Sequence, residues 1–365
     1  MKNNNKKKML YLCAFPPNRM TAGQNYSLNL LQDLVKNIDV ALIYWGYNSH
    51  KYDEIRGVNV LTTPHDRKIS RLICMCFFPI FPLFSKRFNI KVALNIRKIA
   101  SSYDYIYFDF SQIFVYSLFI SHPHKIGMSH DVIFQKYSRY PFSFLFSWWV
   151  KLSEKLLLRS FDSIFTFSQK DRALLAKEYD ISSNVVSFYI DDSVKSISLQ
   201  GIQVENYFVM YGAWNRVENI ESLDYVLSEY DNSYRIKIIG PGLSPKHLEK
   251  IKSFSNLEYL GFVDNPYIVI AKSIALIAPL FHGAGVKVKA VESLSLGTIV
   301  IGTEITFEGL PTELISKEGS CILIGTVPVN RIAHSLLDKN YDKLNQQELF
   351  YSLYPSKKFI DYLDL

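Results

Sequence analysis

The chain reads as α/β, with two mostly parallel sheets in two domains joined by a hinge. Three observations predict this. Short apolar runs alternate with helix-like stretches from start to finish. A polar, weakly periodic stretch, residues 191–205, separates two such series. The length, 365 residues, suffices for two domains of common size. An apolar fraction of 48% against 21% charged belongs to a globular chain, not a disordered one.

In the first series, strands are expected at Met9–Ala14, Val40–Trp45, Val58–Leu61, Tyr105–Phe110, Lys125–Met128, Ser163–Phe167 and Val185–Tyr189. Helices are expected near Gln24–Lys36, Ser85–Ala100, Phe142–Arg159 and Lys170–Tyr179. The first strand runs through Pro16–Gly23 into a helix, which puts Gly23 at a loop-to-helix junction on the sheet's carboxyl edge, where ligands bind in open α/β sheets. After the linker, strands are expected at Tyr207–Tyr211, Arg235–Ile239, Leu257–Leu260, Ile274–Ala278, Ile299–Gly302 and Cys321–Ile324. Helices should begin near Val217, Pro245, Asp264, Gly285 and Pro311. The expected division is 1–190, a linker 191–206, a second domain 207–342 and a C-terminal segment 343–365.

Lys2–Lys8 followed by Met9–Phe15 mimics the start of a signal peptide, but the apolar part is short and no small-residue cleavage site follows. A basic tail leading into the first strand is the expectation. No stretch offers the ~18 uninterrupted apolar residues of a membrane span. Cys13, Cys74, Cys76 and Cys321 form no CxxC pair and no zinc spacing, and read as reduced thiols of a cytosolic protein. Asp191-Asp192 lies in the linker and reads as turn chemistry, so no metal site is expected.

The net charge of +7 is unevenly spread. Residues 1–200 carry 26 basic and 15 acidic side chains, whereas 201–365 carry 15 and 19. The two halves therefore suit different partners. No acid occurs between Asp66 and Asp104, where Arg67, Lys68, Arg71, Lys86, Arg87, Lys91, Arg97 and Lys98 flank an apolar run, Leu72–Phe84, broken by Pro79 and Pro82. Phe142–Trp149 is a second aromatic cluster. Both suit an anionic membrane surface contacted through residues 67–98, and both also suit a core with solvated cations around it. The missing acids favour the membrane. No nucleic-acid motif accompanies the charge.

One stretch carries chemistry. The apolar run Ile274–Ala278 leads into Pro279–Lys287, with glycines at 283 and 285, and then a helix. Glycines let backbone N–H groups approach an anion, and a first helical turn leaves unpaired donors with partial positive charge. Lys287 and Lys289 add full charge. Gly285, Lys289 and Glu292, at i, i+4 and i+7, are expected to share one helix face. Spacing alone fits either an anion site or a solvated basic helix start with an ordinary glutamate.

The order of motifs says more. Tyr211-Gly-Ala-Trp-Asn-Arg216, Ile238-Ile-Gly-Pro-Gly242, Gly261-Phe-Val-Asp264, Ala278-Pro-Leu-Phe-His-Gly-Ala-Gly285 through Glu292, Gly297–Thr303 and Phe307-Glu-Gly-Leu310 follow in sequence. The series resembles the donor-binding domain of GT-B-fold glycosyltransferases of the retaining family 4 (group 1) type. The first half resembles the family's acceptor domain more loosely, through Met128-Ser-His-Asp131, Glu154 and Thr166–Asp171. The resemblance implies two Rossmann-like domains facing across a cleft, with residues from about 345 returning to the first domain.

It also implies roles. Gly283, Ala284, Gly285, Val286, Lys287 and Lys289 would hold a donor diphosphate, with His282 nearby and Glu292 on the ribose. Gly261, Phe262 and Val263 would line the base, and Gly212 and Arg216 would lie near the phosphates. His130, with Asp131 as a second polar group, would act at the acceptor side as the catalytic pair. Lysine and arginine charge would do what a metal does elsewhere, so the only co-substrate implied is a nucleotide-diphosphate sugar. The acceptor implied is a glycan or lipid-linked molecule, at the inner face of the cell membrane. One departure stands out: Ala284 occupies the position where many members carry a sugar-contacting glutamate. A catalytically silent binding partner, and a sugar-nucleotide epimerase, are the alternative readings.

Overall fold

The computed structural model describes residues 6–46, 50–64, 80–139, 142–190, 192–316, 320–325, 327–337, 339 and 342–363. The chain forms two compact units, Met1–Tyr189 with Lys357–Leu365, and Ile190–Ser356.

The first unit is a seven-stranded parallel sheet. Its strands are β1 (Lys8–Cys13), β2 (Asp39–Tyr44), β3 (Val58–Thr62), β4 (Tyr105–Asp109), β5 (Lys125–Met128), β6 (Ser163–Thr166) and β7 (Asn184–Val185). They lie in the order β3-β2-β1-β4-β5-β6-β7. Helices α1 (Ala22–Leu34), α2 (Ile90–Ile99), α3 (Ile133–Ser138), α4 (Ser147–Leu158) and α5 (Gln169–Tyr179) connect them. β1 and β4 are buried along nearly their whole length because elements cover both faces, which is why their sequences are continuous apolar runs. Each such fully buried large side chain contributes about 1.5–3 kcal/mol.

The strand expected at Val185–Tyr189 pairs only through Asn184–Val185. Beyond it the backbone turns to the chain's end: Ser187 N–H donates to the Lys357 carbonyl at 2.8 Å, and Tyr362 O–H to that of Val185 at 2.9 Å. Phe359, fully buried against Tyr107 and Phe165, anchors this segment. Of the expected returning segment 343–365, only Lys357–Leu365 belongs to the first unit.

The helix expected at Ser85–Ala100 is divided. A single turn, Pro82–Ser85, precedes α2, whose start is capped by Asn89 accepting from Lys91 N–H at 3.1 Å. Arg67, Lys68, Arg71 and most of the apolar run, with Cys74 and Cys76, lie outside the described residues. Ile80 and Phe84 at its end are core. Arg87 is also buried: its guanidinium donates to the Gly46 carbonyl and lies 4.5 Å from the Phe15 ring centroid. Lys86, Lys91, Arg97 and Lys98 are exposed. This part of the basic segment therefore reads as core plus solvated cations.

The second unit is a six-stranded parallel sheet. Its strands are β8 (Phe208–Tyr211), β9 (Ile236–Ile239), β10 (Leu257–Gly261), β11 (Ala275–Ala278), β12 (Ile299–Gly302) and β13 (Cys321–Leu323), in the order β10-β9-β8-β11-β12-β13. Its helices are α6 (Val217–Glu229), α7 (Pro245–Lys252), α8 (Pro266–Lys272), α9 (Val288–Ser295), α10 (Val329–Leu337) and α11 (Lys343–Leu353). Two apolar clusters cover the sheet. One contains Trp214, Leu223 and Val329, and the other Ile270, Leu294 and Phe350. The second cluster also takes in Ile190, Val194 and Leu199, so the stretch expected to be a plain linker packs onto this unit. α11 packs within this unit too, through Phe350.

In both sheets the strand order reverses once, between β1 and β4 and between β8 and β11. Open α/β sheets bind ligands at that reversal, beyond the strands' carboxyl ends.

Candidate functional site

In the second unit the loops leaving β8 and β11 flank the reversal. β11 is apolar and fully buried, and its exit is pinned by Thr306. The Thr306 hydroxyl donates to the Ala278 carbonyl at 2.5 Å and accepts from Leu280 N–H at 3.2 Å. From there the loop turns at Gly283 (φ 121°) and Gly285 (φ 68°), conformations a side chain disfavours. α9 begins at Val288, not Gly285. Lys289 and Glu292 therefore share a helix face, one turn apart, while Gly285 belongs to the turn that feeds it.

Lys287 stands at the cap position. Its ammonium folds back to the carbonyls of Ala284 (2.9 Å) and Gly285 (2.7 Å) and lies 3.7 Å from Glu308. Drawing carbonyl oxygens toward the lysine orders the turn from within. Lys289 points elsewhere. Its ammonium donates to Asn219 Oδ1 at 2.7 Å. Desolvation pushes this amine down to about 8; Glu218 and Glu292 oppose the shift and Arg216 adds to it. Arg216, exposed at the start of α6, thus shares Lys289's surroundings.

Asn219 connects the two loops, since its Nδ2 also donates to the Ala213 carbonyl at 2.8 Å. A Cβ on Gly212 would meet that Nδ2 at 2.7 Å, and a Cβ on Gly240 would lie 1.8 Å from the Gly212 carbonyl oxygen. The loops after β8 and β9 therefore touch at their backbones. The loop after β10 joins them, with Gly240 N–H donating to the Gly261 carbonyl at 2.7 Å. Beyond Gly261 (φ 67°), Phe262 is exposed and Val263 packs with Tyr267 into the core beneath. The Tyr267 hydroxyl donates to Glu292 at 2.8 Å, which fixes a carboxylate that is largely buried. His282 lies apart, half-exposed and 3.5 Å from Glu221.

The structure thus brings together Gly212, Arg216, Gly261, Gly283–Gly285, Lys287, Lys289 and Glu292 on one edge of this unit. Asn219, Tyr267 and Glu308 are additions that sequence reading missed. Asn219 stands within the motif run after β8 but its contacts were not legible there, and for Tyr267 no periodic or motif signal existed, because its role lies in whom it touches.

The first unit has its own constellation at its reversal. Asp109, the last residue of β4, is fully buried. Its carboxylate accepts from Tyr11 O–H at 2.6 Å, from His130 Nε2 at 2.6 Å and from the Ser27 hydroxyl. Burial first, and Asp109 next, push the Tyr11 and Cys13 proton affinities well above their ordinary values, so both stay protonated donors. The His130 ring stacks on Phe110, centroids 3.8 Å apart, and Phe110 holds a left-sided φ of 76°. Gly23 is where Phe110 presses closest: a Cβ there would lie 2.8 Å from its ring.

The loop bearing His130 is held from behind by Glu154. This buried carboxylate accepts from the N–H groups of Ile133 and Phe134 at the start of α3, at 2.7 and 2.8 Å, and from Tyr179 O–H at 2.6 Å. Burial raises it to about 7. The side chain of Asp131 lies close enough to add to that shift, and the Asp131 carbonyl accepts from Ser129. Asp109 was legible only as the end of a strand, yet it is the group that orients His130. Among the described residues no cluster of three or more His, Cys, Asp or Glu forms a metal site.

The two parallel α/β units have the GT-B fold. Residues 205–338, within the second unit, match the family model described as glycosyl transferases group 1. No curated protein matches the chain in sequence. Solved structures match its fold. HepE from Anabaena, in complex with UDP and glucose, is 13% identical with TM-score 0.66, covering 96% of each chain. The lipopolysaccharide outer core galactosyltransferase WaaB is 11% identical with TM-score 0.63, covering 97% of this chain and 98% of that one. Sucrose-phosphate synthase from Thermosynechococcus elongatus is 13% identical with TM-score 0.60, covering 96% and 95%.

Proposed function

We propose that the protein is a retaining, metal-independent glycosyltransferase. It moves a sugar from a nucleotide-diphosphate sugar to a membrane-associated glycan or lipid-linked acceptor in cell-surface polysaccharide synthesis. The observation that carries this is the Lys289–Asn219 contact, which ties the loop after β8 to the first turn of α9 at the sheet reversal. A partly buried ammonium beside Arg216 and a helix start is suited to the charge that grows on a departing diphosphate. Glu292, set by Tyr267, is placed one turn further to accept from ribose hydroxyls. The exposed ring of Phe262 and main-chain groups of Gly261–Val263 serve the base.

In the reaction the bond from the sugar's anomeric carbon to the phosphate oxygen breaks, the acceptor hydroxyl's oxygen bonds to that carbon, and its proton leaves with the departing nucleoside diphosphate. His130, oriented by Asp109 and stacked on Phe110, supplies the polar contact for the donor sugar or the incoming hydroxyl. No cofactor beyond the nucleotide sugar is required, and no nucleic acid. The working location is cytoplasmic, peripheral on the inner face of the membrane. Among the described residues no helix is long and apolar enough to cross a membrane.

The test is incubation with a panel of nucleotide sugars, beginning with UDP-glucose because HepE holds UDP and glucose. Released nucleoside diphosphate, lost in Lys289→Ala and Glu292→Ala, is the expected result. Nucleotide binding without any release would favour the silent-partner reading, which Ala284 motivates. Absence of both binding and release in a folded protein overturns the proposal.

A further inference from the structure

Between Asp131 and Asp162 the described residues of the first unit leave an apolar face exposed. Phe142, Phe144, Leu145, Trp148, Leu152 and Leu156 are all exposed, Phe142 by 73% and Trp148 by 64%. The cause is local geometry. Phe142 takes a left-handed φ of 60°, a single 3-10 turn spans Ser143–Leu145, and α4 then begins. α4 buries Val150, Ser153, Glu154, Leu157 and Leu158, so Trp148, Leu152 and Leu156, at intervals of four, line its outer side. A surface helix ordinarily shows polar residues there.

Charge says what covers this face. Lys136, Arg139, Lys151, Lys155 and Arg159 surround it in sequence. The single acid within that stretch, Glu154, points inward to cap α3. Lys151 pairs with Glu178 on α5, which leaves the rim net positive. A second copy of the chain would set those cations against their own likeness in a two-fold pair. An anionic lipid surface meets both features at once: phosphate headgroups for the cations, and the acyl boundary for Trp, Phe and Leu.

We propose that Phe142–Leu156 is the surface by which the protein docks on an anionic lipid bilayer. This deepens the reading of a membrane-held acceptor and places the contact here in preference to residues 67–98. Vesicle binding is measured without a sugar donor, so it succeeds or fails separately from the transferase reading.

The experiment sediments the full-length protein with vesicles of phosphatidylcholine, alone or mixed with phosphatidylglycerol. The expected result is binding to the mixed vesicles, weakened by added salt, and none to phosphatidylcholine alone. The double variant Trp148→Ser with Leu152→Gln should bind about tenfold more weakly or worse. The charge variant Lys155→Glu with Arg159→Glu should lose binding to the mixed vesicles, and circular dichroism should show both variants folded. Failure of the wild type to bind anionic vesicles overturns the proposal, as does undiminished binding by the apolar double variant. A concentration-dependent dimer that the double variant abolishes, with no vesicle binding, overturns it in favour of a face between copies.

Discussion

Replacing Lys289 by alanine should weaken nucleoside diphosphate binding and remove its pH dependence. The ammonium is partly buried in the free protein, held at 2.7 Å by Asn219 and depressed to about 8 from the usual 10.5. An anion that arrives meets a charge that the fold has already partly desolvated. A hydrogen bond between charged partners contributes about 1.5–3 kcal/mol net. At about 1.4 kcal/mol per decade, Lys289→Ala should bind diphosphate roughly 10- to 150-fold more weakly. The sign of the pH effect follows from the same group. Lys289 is charged below about pH 8 and loses its proton above it, and the diphosphate raises its proton affinity on binding. Wild-type affinity should therefore be full below pH 8 and fall by up to about tenfold per pH unit above it. Lys289→Ala should show no such fall. Titration calorimetry with UDP, GDP and ADP from pH 6.5 to about 9.5 reads both effects. An affinity for Lys289→Ala within about twofold of wild type, or an unchanged pH slope, would refute the assignment.

Three further outcomes are expected. Asp109→Asn removes the carboxylate that orients His130, so turnover should fall about tenfold or more while donor affinity, measured by calorimetry, stays unchanged. Gly240→Ala adds a Cβ 1.8 Å from the Gly212 carbonyl at a φ of 118°, and urea unfolding should register a loss of about 2–4 kcal/mol. Glu154 is raised to about 7 from 4.5, so its charged form is penalised in the fold: the penalty is absent below about pH 4.5 and complete above 7. Relative to Glu154→Gln, the wild type should lose stability as pH rises through that window, by a few kcal/mol in chemical denaturation, order-of-magnitude.

Much of the architecture was legible because parallel strands covered on both faces must be continuous apolar runs. Tyr207–Tyr211, Arg235–Ile239 and Ile299–Gly302 were placed within a residue or so of β8, β9 and β12. The strand at Val185–Tyr189 was overcalled, since its backbone partners lie some 170 residues away at the C-terminus. The Pro279–Glu292 stretch announced an anion site through glycines and lysines that local backbone geometry demands. Its helix start was read three residues early, because Gly285 continues a pattern of spacing while holding a left-handed φ that ends it. Arg87 looked like a surface cation and is buried, since nothing local reveals the Gly46 carbonyl and Phe15 ring that receive it.

By itself the sequence determined two α/β units, the order of their strands along the chain, and a Gly-x-Lys-x-Lys turn feeding a helix. Those features follow from hydrophobic period and backbone propensity, which act over a few residues. Tertiary structure decided the division of labour between the two lysines, with Lys287 ordering its own loop and Lys289 joined to Asn219. It also decided that buried Asp109 steers His130, and that one side of α4 stays exposed among the described residues. Those outcomes depend on which distant segments meet, and on what burial then does to charge and to apolar surface.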